Sequence, residues 1–336
     1  MIRRAMAASA AAAVSVVGLR ALGRRAGDRL LDAPRVAPGE AGITAQLDAL
    51  GGEVIRLRSR DGLRLAARWL RAEAGDTDWT PDPYEAILVL HGYSGSVAPD
   101  LVEYAPFLRR TANVLGLDFR GHGDSDAGPS TFGMLEVEDI AGALAWLGER
   151  GIRRVGLFGT SMGGMAAITA VAVLGDGTLA AADAPVDATQ AELDAPRPVI
   201  AAVVAESVSP EAELAVANRM GTPLRHFLAA RAFDGATRRL GADPRDTEPM
   251  RVIGLVAPVP LLLIQGEADT TVPLEDARRL AAAGGPTAAL WTVAGADHSR
   301  SHATAPQDYE RRVTDHLRMA FRAARDHDLR DRERDL

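Results

Sequence analysis

One pentapeptide limits the folds open to this chain more than any other stretch: Gly159-Thr160-Ser161-Met162-Gly163. It follows the apolar run Val155 to Phe158 and precedes the helix-like stretch Met165 to Leu174, so it reads as a sharp strand–turn–helix with a serine at the apex. A residue on such a turn sits in strained backbone, and side chains on its neighbours would clash. Hence glycine stands two places before and two places after the serine, with Gly164 as a third. The turn also brings Ser161 to a helix N-terminus, whose free N–H groups favour a developing oxyanion.

The rest of the chain has the rhythm this turn requires. Glu53 to Ser59 and Leu63 to Arg71 flank Asp61-Gly62, a hairpin signal. Buried-strand runs follow at Ala86 to Leu90, Val114 to Leu117, Val155 to Phe158, Val199 to Ala205, Leu261 to Ile264 and Ala288 to Val293. Continuous apolar runs of this kind suit parallel strands covered on both faces. Helical patterns lie between them: Ile140, Leu144 and Leu147 after an acidic first turn, and Tyr309, Val313, Leu317 and Phe321 at four-residue spacing. The expectation is an α/β fold: a mostly parallel, twisted sheet of about eight strands, helices on both faces and a small helical cap over 210–256. This domain is expected over 51–325, after a leader at 26–50, and 326–336 reads as a charged, frayed tail. Residues 174–198, rich in Ala, Asp, Gly and Pro, read as a surface excursion.

Composition removes several chemistries. A net charge of −7 argues against nucleic acid as a partner. There is no cysteine, which excludes disulfides, thiolate catalysis and Cys-ligated zinc. All 38 basic residues are arginine, which excludes Schiff bases, Ser-Lys dyads and the P-loop lysine. No His and carboxylate cluster has metal spacing, so no metal is expected.

Residues 1–25 hold five arginines, no acid and an apolar run from Ala5 to Leu19. At ~1.5 Å per residue that run falls short of a ~30 Å hydrocarbon core. The segment reads as a retained membrane-associated helix, a cleaved signal, or a merely disordered or docking N-terminus. Membrane association or export is the expected location, with a cytoplasmic protein as the alternative. The segment is expected to govern location only, so that a chain beginning near residue 40 should fold and keep its turnover.

Two later loops supply partners for the serine. Leu261 to Ile264 leads into Gly266-Glu267-Ala268-Asp269-Thr270-Thr271-Val272-Pro273, which places a carboxylate after a late strand. The final strand leads into Gly295-Ala296-Asp297-His298. Ser161 as nucleophile, Asp269 as orienting acid and His298 as general base then follow in the chain order of the strand–turn–helix hydrolases. Upstream, Ala86 to Leu90 runs into His91-Gly92-Tyr93-Ser94-Gly95, a glycine-rich turn able to aim a backbone N–H. The amides of Tyr93 and Met162 would form the oxyanion hole. Glu206, ending an earlier strand, is the rival acid. His91 and His122 read as structural, Asp297 as solvated, and His302, His316 and His327 as surface residues.

Taken together, the sequence resembles the α/β-hydrolase superfamily. Asp118-Phe119-Arg120-Gly121-His122-Gly123-Asp124-Ser125 resembles the family's loop after the fourth strand, and Gly266 to Pro273 and Gly295 to His298 its acid and histidine loops. Within that superfamily it is similar to bacterial esterase-like members related to the prolyl-oligopeptidase catalytic domain, without their β-propeller. The resemblance implies a serine esterase acting on a small acyl ester without a cofactor. Peptidase, thioesterase and acyltransferase are alternatives on the same residues, and a catalytically inactive membrane-associated binding protein is the alternative of another class.

Overall fold

The computed structural model describes residues 21–33, 41–75, 78–93, 95–175 and 197–334. The apolar run Ala5 to Leu19 and nearly all of the 174–198 excursion lie outside the described residues.

Eight strands form one sheet: β1 (Glu53–Arg58), β2 (Arg64–Leu70), β3 (Glu85–Leu90), β4 (Asn113–Leu117), β5 (Arg154–Thr160), β6 (Val199–Glu206), β7 (Leu261–Gly266) and β8 (Ala288–Val293). Their order across the sheet is β1-β2-β4-β3-β5-β6-β7-β8. The β1–β2 hairpin and the β2–β4 pair are antiparallel, and all other pairs are parallel. Alternate residues of the central strands enter different cores, as a sheet covered on both sides demands. Ala86, Leu88 and Leu90 of β3 face one cluster, and Ile87 and Val89 face the other.

The first cluster is completed by α4 (Glu136–Glu149) and α5 (Met162–Leu174), and the second by α3 (Ala98–Leu108) and the C-terminal helix α9 (Pro306–Arg334). The four-residue repeat Tyr309, Val313, Leu317 and Phe321 lies fully buried in the second. Between β6 and β7 the expected cap contains α6 (Ala212–Asn218) and α7 (Arg225–Leu240), and α8 (Leu274–Gly284) follows β7.

The ends of the domain differ from the sequence expectation. Residues 26–50 are not a plain leader: 21–31 form a helix, α1, and Ala41–Ala49 form α2. Leu30 and Leu31 of α1 are buried in the main core, at 8% and 1% exposure. Glycines on both partners let α1 lie backbone-to-backbone on α7. A Cβ on Gly235 would come within 1.9 Å of the Gly23 carbonyl oxygen, and one on Gly27 within 2.5 Å of the Ala236 nitrogen. Arg239 of α7 pairs with Asp32 through two hydrogen bonds of 2.8 and 3.0 Å, and the Ser130 N–H donates to the Leu31 carbonyl at 2.8 Å. Residues 21–31, expected in the N-terminal segment and leader, therefore pack against the domain, because an apolar pair at the end of a short helix is hard to separate from a leader by pattern alone.

Of the 326–336 segment, expected as a frayed tail, residues 326–334 instead continue α9 to Arg334. Its Asp328 pairs with Arg154 of β5, and Arg325, one residue before the segment, donates to the buried Glu85 at 2.6 and 2.7 Å. Charge alone suggested fraying, but here the charges are tied to strand ends. No helix among the described residues is long and apolar enough to cross a membrane.

Candidate active site

Ser161 lies between β5 and α5 with φ 51° and ψ −113°, a conformation disfavoured for any side-chain-bearing residue. The flanking glycines are explained by space. A Cβ on Gly159 would sit 2.4 Å from the Gly163 carbonyl, and one on Gly163 would sit 2.1 Å from the Leu90 oxygen at the end of β3. The elbow is thus pressed against the strand that leads into Tyr93. Met162 opens α5, so its N–H precedes the first intrahelical acceptor.

The structure brings Ser161, His298 and Asp269 together from three loops. His298 Nε2 is 3.0 Å from Ser161 Oγ, and His298 Nδ1 is 2.8 Å from Asp269 Oδ2. The Thr271 and Val272 amides each donate to Asp269 Oδ1 at 2.8 Å, and Gln265 Nε2 donates to Oδ2 at 3.0 Å. Burial pushes the Asp269 carboxyl up, but the hydrogen bond and charge of His298, with the Val272 and Gln265 donors, hold it below its ordinary value. An ionised carboxylate facing Nδ1 keeps the proton there and leaves Nε2 as an acceptor toward the serine.

Glu206 does not reach His298. Its buried carboxylate accepts from Ser301 N at 2.9 Å and from Tyr309 Oη at 2.7 Å, and burial raises its pKa. The adjacent Ser207, at φ 54°, accepts at Oγ from the N–H of Ser299, itself at φ 52°, over 2.9 Å. The end of β6 therefore braces the histidine loop.

His91 is buried, with Nδ1 2.7 Å from the Gly92 carbonyl, while Nε2 accepts from the Phe119 amide at 3.1 Å. Burial, with His122 beside it, pushes His91 down to about 3 against the Gly92 hydrogen bond, so the ring is a neutral structural part. His122 is buried with Nδ1 2.9 Å from the Arg120 carbonyl, and Asp297 is exposed and accepts the His298 N–H. His302 and His316, expected at the surface, are half-buried. His302, on the short helical turn Ser301–Thr304 before α9, sits between Glu103 of α3 and Glu310 of α9 at 3.1 and 3.5 Å, a pairing that local sequence pattern does not reveal. His327 is exposed.

The loop after β4 supports the site indirectly. Asp118 accepts from Val97 N at 2.7 Å and Asp124 N at 3.1 Å, which fixes the chain just beyond Tyr93. Tyr93 stacks on Phe132, with ring centroids 5.2 Å apart, and its hydroxyl donates to the Leu30 carbonyl of α1 at 2.9 Å. A cleft of about 260 Å³ opens at Ser161 and His298, and its walls include Asp100, Glu103 and Arg219. Sequence pattern gives Asp100 and Glu103 no place in the site, and Arg219 only a general one, within the 210–256 cap that would shape the acyl pocket. Arg219 lay within a mixed cap segment, and the two acids belong to a helix that carries no motif. Among the described residues no three His, Asp or Glu side chains are grouped to hold a metal.

A model of the alpha/beta hydrolase family matches residues 87–312, and the chain belongs to that family. The protein named uncharacterized protein YfhR in Escherichia coli O157:H7 is 26% identical over 236 residues, which cover 69% of this chain and 68% of that one. Among solved structures, the Pyrococcus furiosus esterase Pf2001 is similar at TM-score 0.60 and 22% identity, over 85% of this chain and 98% of the esterase. A puromycin hydrolase is similar at TM-score 0.58 and 21% identity, over 80% of this chain and 39% of that longer protein. An alpha-beta hydrolase of Vibrio vulnificus gives TM-score 0.61 at 17% identity, over 87% of this chain and 92% of that one. Family and fold together support hydrolase activity.

Proposed function

We propose that the protein is a serine hydrolase that cleaves small carboxylic esters through an acyl-enzyme. The observation that carries this reading is the unbroken line from Ser161 Oγ through His298 to Asp269, at 3.0 and 2.8 Å. In the proposed reaction His298 Nε2 takes the Ser161 proton as Oγ attacks the acyl carbonyl, and Asp269 stabilises the imidazolium. The N–H groups of Tyr93 and Met162 hold the oxyanion. His298 then gives its proton to the leaving alcohol, and water, activated by the same nitrogen, releases the acid.

The test is a series of p-nitrophenyl esters of rising acyl length, assayed beside peptide and thioester substrates, with a fluorophosphonate probe read by intact mass. One adduct, absent in Ser161→Ala, together with ester turnover is the expected result. Labelling that persists in the variant refutes the nucleophile. Turnover confined to peptides or thioesters moves the activity to those bonds, and no labelling or turnover at all favours a binding protein.

For residues 1–25 the reading offered is membrane association or export, supported by an apolar run flanked by arginines. Fractionation of a bacterial lysate, with mass spectrometry of the recovered chain, separates a retained segment from a processed one.

A further inference from the structure

Arg219 has an unusual setting for an arginine in this chain. It follows the last residue of α6, where the Asn218 side chain donates to the Thr271 carbonyl at 3.0 Å and so ties the cap to the acid loop. From there Arg219 Nη2 reaches within 2.9 Å of His298 Nε2. It forms no ion pair with a carboxylate among the described residues, in contrast to Arg120, Arg154, Arg239 and Arg245. Burial lowers its pKa, and Asp269 and Tyr93 oppose that only through space. Although Arg219 as a whole is exposed, its guanidinium lines the cleft beside His298 with donors to spare.

The other charged groups of the cleft are engaged. Thr160 Oγ1 donates to Asp100 at 2.9 Å, and Glu103 is paired with His302. They disfavour a second negative group in the cleft without neutralising Arg219.

We infer that Arg219 recognises one anionic group, a carboxylate or a phosphate, on the alcohol portion of the ester. The inference rests on the serine-hydrolase reading above. The alcohol side follows from Nε2, which must hand its proton to the leaving oxygen and so must lie within hydrogen-bond reach of it. A side chain 2.9 Å from that same nitrogen borders the leaving group. With Nδ1 carrying the proton that faces Asp269, Nε2 has one lone pair, and both Arg219 and Ser161 point donors at it. An anion that draws the guanidinium onto itself in a charge-assisted pair leaves that lone pair to Ser161. Substrate charge then completes the general base.

The experiment compares kcat/KM for 4-butanoyloxybenzoate and its methyl ester in the wild-type protein, Arg219→Gln and Arg219→Lys. Intrinsic ester reactivities cancel when the anion-to-neutral ratio is compared between proteins. The ratio should fall by about ten-fold or more in Arg219→Gln, the order of one charge-assisted hydrogen bond, and by less in Arg219→Lys. A matched phenyl phosphate ester, 4-butanoyloxyphenyl phosphate, distinguishes phosphate from carboxylate by the larger fall. An unchanged ratio overturns the inference. So does a fall seen only for p-nitrophenyl hemisuccinate against p-nitrophenyl butyrate, where the charge is on the acyl side. If Ser161 takes the fluorophosphonate and the methyl ester is turned over while the ratio stays fixed, Arg219 alone has been misread. If Ser161 is not labelled and no ester is cleaved, the hydrolase reading fails and this inference falls with it.

Discussion

Leu31→Ala measures whether α1 belongs to the domain. An isolated helix of about a dozen residues is marginal in water, so α1 must draw its stability from docking. Leu31 is 1% exposed within the main core, and its carbonyl accepts the Ser130 amide, so the site has little freedom to collapse around a truncated side chain. Leucine-to-alanine changes at such positions cost about 2–5 kcal/mol, and one held by backbone on two sides belongs in the upper half of that range. Leu22, on the same helix at 46% exposure, is the internal control, and its alanine variant should stay within about 0.5 kcal/mol of the wild type. Urea unfolding followed by tryptophan fluorescence reads both. A loss of about 3 kcal/mol is a large part of the ~5–15 kcal/mol that holds a typical domain together. Deleting residues 1–20 should leave the midpoint in place, whereas deleting 1–33, against the sequence expectation that a chain beginning near residue 40 folds, should abolish cooperative unfolding or lower the midpoint further than Leu31→Ala does, because it removes the buried Leu30 and Leu31. Equal midpoints for Leu31→Ala and Leu22→Ala would refute the docking argument.

Three further outcomes follow from the site. Asp269→Asn should lower ester turnover on the order of 10²- to 10⁴-fold, and Glu206→Gln much less, because only Asp269 fixes the His298 tautomer; equal losses in folded variants would overturn that division. Gly163→Ala should lose activity or soluble expression, since its Cβ would sit 2.1 Å from the Leu90 oxygen, whereas Gly254→Ala, with 3.7 Å to its nearest neighbour, should behave as wild type. Burial raises Asp100 to about 7, with the Thr160 hydroxyl opposing and Glu103 and Glu206 adding to the rise. Asp100 is therefore neutral below that pH and anionic above it, so kcat/KM for an anionic ester relative to a neutral one should fall as pH rises through about 7. Asp100→Asn should flatten that dependence, and a ratio already flat in the wild type would exclude Asp100 as its source.

The sheet was legible because its central strands are long enough in apolar residues to be buried on both faces, and the edge strand Ala288–Val293, of which only Val293 is buried, still matches the expected run at both ends. Ser161, His298 and Asp269 could be picked out because each is marked by glycines or a fixed loop after a strand. Arg219 carried no such mark. Its significance comes from Asn218 anchoring on Thr271, a contact between residues 53 positions apart. The helix at 21–31 was missed for a related reason: its buried Leu30–Leu31 pair is adjacent rather than periodic, and the Gly23, Gly27 and Gly235 contact exists only once two distant helices meet. Glu206 was read as a rival acid because position at a strand end does not reveal that Tyr309 and Ser301, about a hundred residues later, occupy both its oxygens.

The brace at the end of β6 bears on timing as much as on position. On the proposed reading, β6 contributes no reacting group, yet Glu206 and Ser207 hold the loop that carries the base. The entropy of fixing that loop is then spent once, when the chain folds, and not again at each turnover. Loosening the brace should leave the reacting groups in place but make their alignment intermittent. Its signature would be a lower kcat at nearly constant KM, with a steeper dependence of rate on temperature than the intact protein shows.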